Sequence, residues 1–201
     1  SPRGDNVPDD ENGAYDFGLG AGFYVNATKS PWQTHYNMYD YVTKELPGII
    51  TSNFNVDKSR FGIFGHSMGG HGALTIGLRN PDLYRSISAF APICNPMNCP
   101  WGIKALGNYL GDNSSAWSEY DATEIVLAGN YGSPQNLIRI DQGLADEFLE
   151  RELSTDKFEQ ACKESELAID IHRHVGHGHG YYFISTFIDD HLQHHAKYLC
   201  N

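Results

Sequence analysis

The stretch Phe61-Gly62-Ile63-Phe64-Gly65-His66-Ser67-Met68-Gly69-Gly70 constrains the fold of this chain more than any other. Its first five residues form a short apolar run bounded by glycine, which reads as a buried strand. Residues 71–79 read as a helix that stops before Asn80-Pro81. Between the two, Gly65-His66-Ser67-Met68-Gly69 matches Gly-x-Ser-x-Gly. A strand that turns at once into a helix strains its corner residue, and side chains at Gly65 and Gly69 would be expected to clash with neighbouring backbone. The corner lifts Ser67 above the sheet at a helix N-terminus, where the backbone N–H of Met68 can serve as an oxyanion donor. A serine that merely caps a helix is the plainer reading. The strand before it and the glycines around it favour a nucleophile.

The other segments alternate in type. Residues 36–50 place Met38, Tyr41, Val42, Leu46 and Ile49 at helical spacing, with Pro47 set to kink or end the helix. Residues 86–90, 136–141 and 168–174 read as strands, and 158–165 and 183–199 as helices. This order predicts an α/β fold, a mostly parallel sheet flanked by helices, and 201 residues suit one domain. Residues 1–30, rich in Gly, Asp and Asn, read as an extended surface loop.

A formal charge of −11 argues against nucleic acid or an anionic membrane as the main partner. No apolar run approaches the ~18 residues of a membrane helix, and the polar start Ser1-Pro2-Arg3-Gly4-Asp5-Asn6 does not read as a signal peptide. Cys94, Cys99, Cys162 and Cys200 form no CxxC pair. They are expected to be free, packed thiols, the alternative being a Cys94–Cys99 bridge across the turn at Pro96.

A nucleophilic serine needs a base, and the base needs an orienting carboxylate, in the chain order Ser, acid, His. Asp141 ends a strand, whereas Asp146 sits on the loop beyond Gly143 and can lean over the sheet edge, so Asp146 is preferred. Glu147 reads as a solvated charge. The base should follow the last strand, in His172-Arg173-His174-Val175-Gly176-His177-Gly178-His179-Gly180. His172 and His174 fall within the strand, which leaves His177 or His179. Alternating histidines can also hold a metal. Flexible glycines and the lack of a nearby cysteine or carboxylate in sequence argue against that, and no metal is expected. His191, His194 and His195 read as a solvated face of the closing helix.

Gly65-His66-Ser67-Met68-Gly69-Gly70-His71-Gly72-Ala73-Leu74 resembles the S-formylglutathione hydrolase (esterase D) family. So do Ser1-Pro2-Arg3-Gly4, Gly20-Ala21-Gly22-Phe23-Tyr24, Ser88-Ala89-Phe90-Ala91-Pro92-Ile93, Cys99-Pro100-Trp101-Gly102, Tyr120-Asp121-Ala122-Thr123 and Tyr181-Tyr182-Phe183-Ile184. The resemblance implies an α/β-hydrolase serine thioesterase of formaldehyde detoxification, cytoplasmic, without a cofactor and often a homodimer. Its substrate would be the small molecule S-formylglutathione. By position it carries the nucleophile to Ser67, the acid to Asp146 and, through the Tyr181-Tyr182-Phe183 run, the base to His179. Trp101 is the candidate for lining the substrate pocket.

Two departures stand out. Where the family reads Gly-Tyr-Asp-His-Ser, this chain has Gly176-His177-Gly178-His179-Gly180, so side-chain hydrogen bonds that stiffen the loop are lost. The family also carries an N-terminal segment with the first strands and a second oxyanion donor. The chain is therefore expected to be the C-terminal portion of the full fold, with an exposed sheet edge. Beside the thioesterase stand two other readings: a general carboxylesterase or acyltransferase on the same triad, and a non-catalytic hydrolase-like binding protein.

Overall fold

The computed structural model describes residues 1–132 and 137–200. Its helices are α1 (Met38–Asp40), α2 (Leu46–Asn53), α3 (Met68–Arg79), α4 (Pro100–Leu110), α5 (Ser114–Trp117), α6 (Ala122–Leu127), α7 (Thr155–Glu164) and α8 (Tyr181–Leu199). The strands are β1 (Phe61–His66), β2 (Tyr84–Phe90), β3 (Ile138–Gly143) and β4 (Ile169–His174). They form one sheet in the order β1-β2-β3-β4, every pair parallel. The expected α/β architecture is thus present, with β1 as an outer strand. Of the expected strand 136–141, Asn136 lies outside the described residues. No helix among the described residues is long and apolar enough to cross a membrane.

Alternation along β2 and β3 gives the sheet two unlike faces. Ile87 and Ala89 of β2 and Ile138 and Ile140 of β3 join Leu74 and Leu78 of α3, Val126 of α6 and Phe158 of α7 in an apolar cluster. The intervening residues, Ser86, Ser88, Arg139 and Asp141, are polar, and their partners come largely from α8. His195 bonds Ser86 Oγ through Nδ1 (2.6 Å) and Ser88 Oγ through Nε2 (2.8 Å). His191 bonds Ser88 Oγ through Nδ1 (2.8 Å) and the Asp141 carboxylate through Nε2 (3.0 Å). The expected solvated face of α8 is therefore corrected: His191 and His195 are buried, and His194 is partly buried against the Ile87 carbonyl. Spacing of three and four residues sets these rings on one side of the helix, and that side covers the serines of β2.

Three further expectations change. Residues 1–30 are irregular but no surface loop: Phe17, Phe23 and Val25 are buried with Tyr36 and Tyr109. Pro47 does not end the helix: it lies in the first turn of α2, directly after the widened turn Tyr41–Glu45, where its missing N–H is tolerated. Trp101 lies in the first turn of α4, a helix over Pro100–Leu110 that was not among the expected elements. Cys94, Cys99 and Cys162 are buried and unbridged; burial pushes the Cys99 and Cys162 thiols up to about 12, which keeps them unreactive at neutral pH.

The buried polar layer gives a stability test. In His191→Ala, Asp141 and Ser88 each lose a partner in a site that water does not reach, which costs about 2–3 kcal/mol. For a domain of this size that lowers Tm by roughly 5–10 °C. Thermal melts of the two proteins measure it, and an unchanged Tm is what a solvated helix face would give.

Candidate active site

The carboxyl ends of β1, β3 and β4 place three loops side by side. At the first, Ser67 joins β1 to α3 with φ 57° and ψ −117°, a conformation that side chains rarely adopt. Its N–H donates to the Phe90 carbonyl at 2.9 Å, tying the corner to the end of β2. Gly65 is required, because a Cβ there would overlap the Gly69 carbonyl. Gly69 itself is not crowded: a Cβ there would come no nearer than 3.9 Å to Tyr24 Oη. The tight position is Gly70, whose Cβ would lie 2.9 Å from Pro92 Cβ.

His179, after β4, bridges the other two groups. Its Nδ1 lies 2.6 Å from Asp146 Oδ2 and its Nε2 lies 2.9 Å from Ser67 Oγ. An ionised carboxylate only accepts, so Nδ1 carries the proton and Nε2 accepts from the Ser67 hydroxyl. Asp146, after β3, is buried. Its Oδ1 accepts from the Phe148 N–H at 2.9 Å. Ser67, His179 and Asp146 are thus brought together as the sequence led one to expect.

The esterase family described as "Putative esterase" matches residues 1–194. The S-formylglutathione hydrolase of Rattus norvegicus is 56% identical over 200 residues, covering 99% of this chain and 70% of that protein. That of Arabidopsis thaliana is 55% identical, covering 99% and 69%. The solved S-formylglutathione hydrolase of Agrobacterium tumefaciens superposes with a TM-score of 0.94 at 50% identity, over 99% of this chain and 70% of that one. The chain belongs to the S-formylglutathione hydrolase family.

Within this S-formylglutathione hydrolase family member, the competing candidates lie elsewhere. Asp141 faces α8, where Arg139 Nε (2.7 Å), His174 Nε2 (2.7 Å) and His191 Nε2 (3.0 Å) surround it. Burial alone would raise its carboxyl, and these donors outweigh burial and hold it below the ordinary range. Glu147 is exposed. His177 stacks on Tyr182, with ring centroids 6.0 Å apart, and lies against Phe187. His172 bonds Asp170 at the end of the sheet. Among the described residues no cluster of His, Cys, Asp or Glu is arranged to hold a metal ion.

The altered loop is held by backbone. The Ala145 N–H donates to the His177 carbonyl at 2.9 Å and the Leu144 N–H to the His174 carbonyl at 2.9 Å. The His179 ring is packed between His66 (centroids 4.5 Å apart) and Phe148 (4.9 Å). His66, Phe148 and Gln142 are contributors that the sequence reading did not single out. The signal for His66 was its place beside Ser67, whereas Gln142, which bonds Thr155 at 2.9 Å and reaches Asp146 at 3.4 Å, carried none. Trp101 lines a cavity of about 200 Å³ beside Ser67, together with Tyr15, Asp16, Ile93 and Phe148, among others. Met68 is in the same wall, so both sequence-predicted accessory positions border the site.

Burial pushes the His66, His71 and His195 imidazoles down to about 4. They stay neutral in the fold until pH nears 4, while in the unfolded chain they take a proton near 6.5. Between those values the unfolded state binds more protons, so stability is complete above pH 6.5 and is lost as pH falls. Tm is expected to drop steadily from pH 6.5 to pH 4 with net proton uptake on unfolding. A Tm flat across that window would contradict this.

Proposed function

We propose that this chain is a serine thioesterase that hydrolyses S-formylglutathione to glutathione and formate, with Ser67, His179 and Asp146 as its triad. The observation that carries the reading is the His179 ring, hydrogen-bonded at one end to Asp146 and at the other to Ser67. Family membership supports the substrate. It equally supports a single domain working in the cytoplasm as a homodimer on a soluble small molecule.

In the first half-reaction Ser67 Oγ attacks the formyl carbon while His179 Nε2 takes the hydroxyl proton. Negative charge gathers on the carbonyl oxygen, for which the Met68 N–H at the start of α3 is the donor in this chain. Asp146 holds the Nδ1–H tautomer and stabilises the imidazolium. As the tetrahedral intermediate collapses, the C–S bond breaks and His179 returns the proton to the departing sulfur. Water then attacks the formyl ester with His179 as base, and formate leaves as Ser67 regains its proton. No cofactor takes part in these steps.

In Ser67→Ala, kcat/KM for S-formylglutathione is expected to fall roughly ten-thousand-fold or more. A fluorophosphonate is expected to add its mass to the Ser67 peptide of the wild type. Hydrolysis unchanged by the substitution would end the reading. A wild type that prefers an aryl acetate to S-formylglutathione would replace it by a general carboxylesterase.

A further inference from the structure

We infer that the Asp16–Lys104 ion pair recognises the γ-glutamyl head of the glutathione moiety, an inference that rests on the function proposed above. A formyl group has two heavy atoms, whereas the cavity beside Ser67 measures about 200 Å³, several times the ~30 Å³ share of a water molecule. Most of that space therefore serves the thiol part of the thioester. Its walls are largely apolar, from Ala21, Phe23, Ile93, Trp101 and Phe148, which suits the cysteinyl segment next to the scissile bond. Apart from His179, Asp16 is the one ionisable wall residue that could carry charge at neutral pH.

Asp16 is not alone there. Lys104 Nζ donates to its Oδ1 at 2.8 Å. Lys104 stands three residues after Trp101 on α4, so helical spacing carries it to the side of the helix that Trp101 turns toward the cavity. Tyr15 packs edge-on against Trp101 with centroids 6.0 Å apart, so the carboxylate follows directly on an aromatic wall. Both charges reach solvent, with Asp16 18% and Lys104 36% exposed in their side chains. The pair is part-buried, and Lys104 Nζ also lies 5.6 Å from the centroid of the Phe17 ring, yet neither charge is sealed off from a ligand in the cavity that Asp16 lines.

The γ-glutamyl head offers a matching pair. Its ammonium and carboxylate sit on one carbon, so the ammonium can face Asp16 while the carboxylate faces Lys104. Such a four-charge arrangement accepts the zwitterion and leaves no charge unpartnered. It also explains how a chain of net charge −11 can take an anionic tripeptide: the cation it needs stands behind the wall residue Asp16, to which it is hydrogen-bonded.

The test compares two formyl thioesters in the full protein, S-formylglutathione and S-formyl-N-acetylcysteinylglycine, in which an acetyl group replaces the γ-glutamyl head and keeps the cysteine nitrogen an amide, so that the formyl group cannot migrate to it. The readout is the ratio of their kcat/KM values, which cancels any general loss of folding or chemistry. The wild type is expected to favour S-formylglutathione. Lys104→Met should cut that preference about tenfold, acting through KM, and Asp16→Asn should also reduce it. Lys104→Arg should restore most of the loss. A wild-type preference that Lys104→Met leaves within about twofold would overturn this inference alone. A wild type that hydrolyses aryl acetates but not S-formylglutathione would overturn the proposed function, and this inference with it.

Discussion

Two backbone hydrogen bonds, from the Leu144 N–H to the His174 carbonyl and from the Ala145 N–H to the His177 carbonyl, join the loop that carries Asp146 to the loop that carries His179. Everything at the site depends on that join. β3 and β4 run parallel in register up to Gly143 and His174, and the two bonds continue their alignment beyond the sheet. Gly143 allows it, because a Cβ there would overlap the His177 carbonyl. The loop is thereby tied down by main-chain bonds, which do not depend on a side chain at Gly178 or Gly180. Ser67 is fixed separately, by the strained corner and its bond to Phe90. His179 is where the two constructions meet.

The polar face of the sheet serves the same end more remotely. Asp141 immobilises His174, the last residue of β4, while His191 and His195 clamp α8 over β2. α8 begins directly after Gly180, so the base loop is anchored by buried hydrogen bonds before it and after it. Burial lowers the pKa of His191 and His195, which hold these bonds as neutral rings. The packing that aligns the base is thus the packing that acid loosens.

Much of this was legible locally. The Ser67 corner was readable because its glycines and flanking apolar run are contiguous in the chain, and β1, β4 and α8 showed their periods plainly. Asp146 followed from its place beyond a strand end. What could not be read was settled by distant partners. α4 starts at Pro100 without a capping side chain from Cys99; the carboxylate that accepts the Trp101 N–H at 3.0 Å is Glu152, half a hundred positions away. The Gly102 and Gly107 within it lower helical propensity further. His191 and His195 look solvated on a helical wheel, because nothing in α8 reveals that serines of β2 will face them. Neither does residue spacing separate His177 from His179. Both are flanked by glycine, and only the resemblance through Tyr181-Tyr182-Phe183, and then the folded loop, distinguish them.

The central claim is that this loop presents His179, and not His177, to Ser67 and Asp146. It is tested most directly by comparing His179→Ala and His177→Ala in kcat/KM for S-formylglutathione, with both proteins shown to be folded. The account predicts a loss of roughly ten-thousand-fold for the first and a value within about fivefold of wild type for the second. Activity abolished by His177→Ala and spared by His179→Ala would contradict it.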